Sequence, residues 1–86
     1  MADVSKDTVL YRSDTAKKVV ADEIAYVCMA LAEKGYNPID QLVGYLLSGD
    51  PTYITSHKDA RARVRAFERY ELLEELMESY LNKKNV

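Results

Sequence analysis

The chain contains no tryptophan and only one cysteine, one histidine and one phenylalanine among its 86 residues. The single cysteine, Cys28, excludes an internal disulfide and fits a reducing compartment. No uninterrupted apolar run approaches the length needed to span a bilayer. The first residues are polar and mixed in charge, unlike the charged and then apolar start of a signal peptide. We therefore expect a cytoplasmic protein that makes no membrane contact.

The chain also lacks a strong net charge, since its formal charge is −2. This value excludes the uniformly basic surface of a general nucleic-acid-binding protein, so no nucleic-acid partner is expected. A hydrophobic share of 48% with 30% charged residues is ordinary for a soluble globular protein. Its length suffices for one domain. A domain this small buries a limited fraction of its surface, which favours a homodimer.

Groups suited to catalysis are scarce. Cys28 is predicted beside the buried stripe of one helix, where it acts as a small hydrophobe. His57 is predicted on another helix, exposed and without a second ligand at metal spacing. Four glutamates recur at the spacing typical of the solvated face of an amphipathic helix. These are Glu71, Glu74, Glu75 and Glu78. We predict no catalytic residue, no metal site and no cofactor.

The apolar pattern predicts an all-α fold, a compact bundle of four to five short helices that forms a homodimer. Residues 1–12 show no helical period and are expected to form a flexible N-terminal tail. Residues 13–82 are predicted to form a single helical domain, and residues 83–86 a frayed C-terminus. The domain is therefore expected to have one core, built mainly from aliphatic side chains with tyrosine rings near its edges.

The first helix is predicted to begin at Ser13 or Asp14 and to end near Lys34. Its apolar stripe recurs at steps of three or four residues. The stripe consists of Ala16, Val20, Ile24, Val27 and Leu31. Tyr26 and Met29 lie off this stripe and make the apolar surface wider than one neighbouring helix needs. We therefore predict that these two side chains lie in the dimer interface.

Two further apolar stripes are predicted along the later helices. On a second helix over residues 38–47 the stripe consists of Ile39, Leu42, Val43 and Leu46. From Leu72 onward the stripe consists of Leu73, Leu76, Met77, Tyr80 and Leu81. A helix begins between these two stripes, with Ser56 and Asp59 as a pair resembling a capping box. We favour a break in this helix near residues 68–71, because a continuous helix would turn Glu71 and Glu74 inward.

A basic ridge is predicted on the same part of the chain, provided that the helix continues to its last member. The ridge consists of Lys58, Arg61, Arg65 and Arg69, which recur at steps of three and four. One interpretation is a solvated face whose arginines pair with nearby acids such as Glu68. A second is a docking surface for an acidic partner or a phosphorylated tail. A third, a small nucleic-acid-binding regulator, is disfavoured by the acidic remainder of the chain.

All three glycines and both prolines lie within residues 35–51, whose sequence is GYNPIDQLVGYLLSGDP. Gly35 is predicted to end one helix, Asn37 and Pro38 to begin the next, and Gly49 to end it. The same residues closely resemble the signature of the IreB family of small bacterial regulatory phosphoproteins. The likeness continues from residues 7–9 to residues 74–76 and so covers most of the chain.

The resemblance implies a cytoplasmic, all-helical homodimer without enzymatic activity. It also implies a substrate of a membrane-anchored Ser/Thr kinase, whose modification a partner phosphatase reverses. The position matching the family's phosphoacceptor is Thr8, for which the sequence indicates no structural role, and Ser5 stands where some members have a second acceptor. The implied role is control of peptidoglycan and cell-envelope synthesis through protein contacts, partly through a Clp-protease pathway.

Overall fold

The computed structural model describes residues 14–84, and within that range every regular element is helical. The α-helices are α1 (Asp14–Glu33), α2 (Pro38–Ser48), α3 (Ala60–Arg65) and α4 (Arg69–Lys84), and two 3₁₀ turns cover Pro51–Tyr53 and His57–Asp59. The all-α prediction is confirmed, with four α-helices. The predicted tail, residues 1–12, lies outside the described residues.

The helix ends in residues 35–51 confirm the sequence prediction. Gly35 and Gly49 adopt the left-handed conformation, with φ of 85° and 76°, and each follows the end of a helix. The Asn37 Oδ1 accepts a hydrogen bond of 3.1 Å from the Asp40 N–H, and Pro38 takes the first helical position. The local sequence therefore sets where α1 ends and where α2 begins and ends.

The block that contains α2 is held together by contacts between residues close in sequence. Gln41 Nε2 donates a hydrogen bond of 2.9 Å to the Tyr53 carbonyl. Gly44 lies under the Tyr53 ring, at a distance where an added Cβ would overlap the ring. The helix and the following 3₁₀ turn therefore pack as one piece.

One hydrophobic core joins all four α-helices and the segment between α2 and α3. Its buried members are Val20, Val27, Ala30, Leu31, Leu42, Tyr45, Ile54, Ala60, Val64 and Leu72. The stripe predicted for α1 is confirmed at Val20, Val27 and Leu31, while Ile24 is half-buried at the edge of the core. On α3 the predicted inner position of Val64 is confirmed as well.

Helix α1 lies antiparallel to the later part of the chain. Its ion pairs follow in reverse order: Lys17 with Glu78, Glu23 with Arg63, and Glu33 with Lys58. The Lys17 Nζ is 3.4 Å from Glu78 Oε1. The start of α1 therefore lies beside the C-terminal half of α4.

Helix α4 presents its apolar stripe outward, contrary to what a stripe usually indicates. Leu72 is the α4 residue in the core, at 1% exposure, whereas Leu73 is 45% exposed. Because each helical residue is turned by about 100° from the one before it, seating Leu72 inward turns the stripe aside. The exposed side chains, which we call the α4 face, are Leu73, Leu76, Met77, Tyr80 and Leu81.

The side of α4 nearer the body carries the acidic residues instead. These are Glu71, Glu74, Glu75 and Glu78, all half-buried. The prediction that they form a solvated face is therefore wrong. Glu78 pairs with Lys17 of α1, and Glu71 Oε1 accepts a hydrogen bond of 2.8 Å from the Glu68 N–H at the start of α4. The helix is thus amphipathic in the inverted sense.

Helix α2 also buries a different side from the one predicted. Leu42 and Tyr45 are buried, and Leu46 packs partly against the core. Ile39 and Val43 were predicted to be inward but are exposed. Together with Leu47 they stand one helical turn apart, and we call these three residues the α2 face.

The predicted break between α3 and α4 is confirmed, at residues 66–68. The predicted capping pair is wrong, since neither Ser56 nor Asp59 makes a side-chain cap hydrogen bond at a helix start. Lys58 and Asp59 instead have positive φ angles of 54° and 63°, which turn the chain sharply into α3. Such angles are strained for residues other than glycine and are held by surrounding contacts.

Candidate protein-interaction surfaces

The basic ridge predicted on one helix is interrupted, because α3 ends before Arg69. The Arg61 Nε donates a hydrogen bond of 2.8 Å to the Ile54 carbonyl. The Arg69 Nη1 donates one of 3.0 Å to the Leu46 carbonyl near the end of α2. These two arginines therefore tie the main chain between α2 and α3 to the later helices, a role that the helical spacing alone did not reveal.

The other two members of the ridge have separate surroundings. Lys58 Nζ lies 3.2 Å from Glu33 Oε1, so its charge is paired within the chain. Arg65 is exposed at the end of α3. Of the four residues predicted to bind a partner, Arg65 has the side chain least committed to the described part of the fold.

The two residues predicted for the dimer interface differ in their surroundings. The Tyr26 hydroxyl donates a hydrogen bond of 2.9 Å to the Lys58 carbonyl. The Arg63 guanidinium lies over the Tyr26 ring, 3.9 Å from its centroid, a favourable cation–π distance. Met29 is 38% exposed. Tyr26 thus supports the strained turn at Lys58, and Met29 offers the more accessible surface.

Arg63 also closes a shallow cavity of about 180 Å³ between α1 and α3. Its lining residues are Glu23, Arg63, Ala66 and Phe67. Arg63 Nε lies 3.1 Å from Glu23 Oε1, in a geometry that pairs the charges without forming a hydrogen bond. The carboxylate is therefore compensated by its neighbour, and the cavity offers little polar surface to a ligand.

His57 is not unaccompanied, as the sequence predicted, but faces the end of α1. Its Nε2 lies 2.8 Å from Glu33 Oε1. The hydrogen bond with His57, and then that with Lys58, holds the pKa of the Glu33 carboxyl below its ordinary value. The three side chains form an exposed charged cluster that joins the end of α1 to the 3₁₀ turn before α3.

Acid is expected to dissolve this cluster. Because the pKa of Glu33 is lower in the folded chain than in the unfolded chain, its contribution to stability is complete above the ordinary pKa of 4.5 and is lost as the pH falls through the folded value. A ¹³C NMR titration of the Glu33 carboxyl should give a midpoint below 4.5. The midpoint should move back towards the ordinary value in His57→Ala. A wild-type midpoint at or above the ordinary value would contradict the cluster.

Cys28 is half-buried against the core, as predicted, and burial raises the pKa of its thiol. Among residues 14–84, no group of three or more histidine, cysteine, aspartate or glutamate side chains is placed to hold a metal ion. In the same part of the chain, no helix is both long and apolar enough to cross a membrane.

Sequence reasoning missed the two surfaces that dominate the outside of the molecule, the α2 face and the α4 face. Their residues were identified, but both stripes were assigned in large part to the core. Thr8 and Ser5, the predicted phosphoacceptors, lie outside the described residues. Exposed apolar side chains at helical spacing, beside a core that is already filled, are typical of a protein that works by binding other proteins.

Comparison with known proteins agrees with this class. Residues 6–82 match the family described as IreB regulatory phosphoprotein. The chain belongs to that family, which confirms the resemblance seen in residues 35–51 and supports a regulatory role.

Relatives of similar length share much of the sequence. The chain is 63% identical over 65 residues to a UPF0297 protein of Clostridioides difficile, with 76% of each chain covered. It is 55% identical over 80 residues to a UPF0297 protein of Ruminiclostridium cellulolyticum, with 92% of this chain and 91% of the relative covered. The names of these relatives state no activity.

Proposed function

We propose that the protein is a non-enzymatic cytoplasmic regulatory phosphoprotein, a substrate of a membrane-anchored Ser/Thr kinase that controls peptidoglycan and cell-envelope synthesis through protein contacts. The observation that carries the proposal is the family match, which begins at residue 6 and so includes Thr8. A partner phosphatase reverses the modification, and the Clp-protease pathway is the proposed route to the cell envelope. No cofactor takes part.

Thr8 is the proposed phosphoacceptor, with Ser5 as a second candidate. The kinase transfers the γ-phosphoryl group of ATP to the Thr8 hydroxyl oxygen, the hydroxyl proton is lost and ADP leaves. At neutral pH the product carries about −1.5 to −2 charges where the unmodified side chain carries none. Phosphorylation therefore changes the contacts that this segment makes.

Thr8→Ala is expected to abolish labelling by the cognate kinase, because the acceptor oxygen is removed. The assay is transfer of radiolabelled phosphate to the purified full chain, followed by mapping of the modified residue by mass spectrometry. Ser5→Ala is the matched control and should retain most of the label. Unchanged labelling of Thr8→Ala would overturn the assignment of the site.

We also propose that the protein is a homodimer joined through the α2 face, with Met29 at the same interface. Ile39 is 72% exposed and Leu47 81% exposed, values that soluble proteins rarely give to aliphatic residues lying one turn apart. A second copy would remove this surface from water. Tyr26, which is half-buried under Arg63, would lie nearer to the edge of such an interface.

The basic residues support protein contacts better than nucleic-acid binding. Arg61 and Arg69 are each directed to a backbone carbonyl, and Lys58 is paired with Glu33. A continuous row of cations for a phosphate backbone is therefore lacking on this side of the described chain. Arg65 keeps the proposed role of contacting an acidic partner.

A further inference from the structure

The α4 face is a second apolar surface, and it lies at the opposite end of α1 from α2. Met77 is 58% exposed at its centre. The orientation of the face is fixed, because Leu72 is seated in the core and Glu78 is paired with Lys17. A surface of this kind marks a binding site, so its occupant has to be identified.

The path of the chain identifies an occupant. The Lys17–Glu78 ion pair places the start of α1 beside the C-terminal half of α4. The thirteen residues that precede Asp14 therefore join the described fold next to the α4 face. This placement needs no assumption about how those residues are arranged.

The composition of the preceding residues fits the same surface. Val9, Leu10 and Tyr11 form the longest apolar run before α1 and lie three to five positions before Asp14. At about 3.3–3.6 Å per residue, they reach roughly 10–18 Å from the helix start. Packed helix axes are about 8–10 Å apart, so this run can reach Met77 and its neighbours. The family match also begins at residue 6, before the run.

The α2 face is out of reach for the same run in the same chain. Helix α1 has 20 residues and is therefore about 30 Å long. Helix α2 follows its far end after a connection of four residues. Residues 9–11 stop well short of that end, which is why the α2 face is assigned to a second copy and the α4 face is not.

We propose that residues 9–11 of the chain itself cover the α4 face, and that phosphorylation of Thr8 releases them. The second half of this inference rests on Thr8 being the phosphoacceptor. The acidic side of α4 runs along the border of the face, with Glu74 and Glu78 each one position after a member of the face. A phosphate next to residue 9 is repelled by these carboxylates, which weakens the docked state. Phosphorylation thereby uncovers an apolar surface for a partner.

The three methionines of the chain supply the test, since Met77 lies on the α4 face, Met29 lies on α1 and Met1 begins the chain. The full chain is labelled with [methyl-¹³C]methionine and its methyl resonances are recorded at several dilutions. Leu10→Ser removes the centre of the apolar run and is expected to shift the Met77 resonance and leave Met29 in place. A Met77 resonance that is the same in the wild type and in Leu10→Ser would overturn the proposal.

A second arm uses chain phosphorylated at Thr8 by ligation of a synthetic peptide at Cys28, so that it does not depend on the kinase. Met77 should shift in the same direction as in Leu10→Ser. No shift on phosphorylation would overturn the release step. A Met77 resonance that changes with dilution and ignores Leu10→Ser would show that a second copy covers the face, which overturns the docking. Loss of kinase labelling at Thr8 bears only on the proposed function, because both arms can be read without the kinase.

Discussion

Leu72→Ala is expected to lower the free energy of unfolding by about 2–5 kcal/mol, whereas Leu73→Ala should lower it by less than about 1 kcal/mol. The two residues are neighbours of the same type on the same helix, so helix propensity and side-chain chemistry cancel in the comparison. Leu72 is 1% exposed and its removal leaves a cavity in the core. Leu73 lies on the α4 face, where less contact within the folded chain is lost.

Urea denaturation followed by circular dichroism would measure both variants. For a single domain of this size, the larger loss is a substantial part of the total stability of about 5–15 kcal/mol. The pair also tests the rotation of α4, because a helix with its stripe inward would reverse the order of the two effects. A greater loss in Leu73→Ala would therefore contradict the inverted amphipathic arrangement.

Ile39→Glu is expected to weaken the proposed dimer by at least about 100-fold. Burying an isoleucine contributes about 1.5–3 kcal/mol, and a two-fold interface contains the residue twice. Every 1.4 kcal/mol is about a tenfold change in the dissociation constant, and the introduced charge adds a desolvation cost. Because Ile39 is largely exposed within one chain, the fold itself should tolerate the change.

Light scattering after size-exclusion chromatography, over a range of loading concentrations, would give the masses. Met77→Glu is the matched control, since it places the same charge at another exposed apolar position. The control should remain a dimer, and Ile39→Glu should elute with the mass of one chain. Dissociation of Met77→Glu alone would move the interface to the α4 face, and a wild type that is monomeric throughout would end the dimer proposal.

Local chemistry explains why the helix ends could be predicted. Asn37, Pro38 and Gly49 each act within one turn of their own position, through a side-chain acceptor, a fixed φ angle and a permitted positive φ angle. Such effects need no knowledge of the rest of the fold. The stripe on α1 was predictable for a related reason, since that helix contacts each of the other α-helices and is buried along its length.

Rotation of the short helices was not predictable, because it depends on distant contacts. Periodicity shows that Leu73 and Met77 share one side of α4, but a partner can bury that side as well as the chain's own core can. The observed rotation follows from Leu72 entering the core and from the Arg69 contact with the end of α2. The pairing of His57 with Glu33 joins positions 24 apart, and the spacing of residues along one helix carries no sign of it.

The packing of Tyr53 over Gly44 has a consequence for the order in which the chain folds. The contacts that unite α2 with its 3₁₀ turn span at most twelve positions, as in the hydrogen bond from Gln41 to the Tyr53 carbonyl. Closing such a short loop costs little chain entropy, so this block can form before α4 finds α1. Residues 37–53 are thereby a local folding unit, on which the long-range contacts of Arg61 and Arg69 are later assembled.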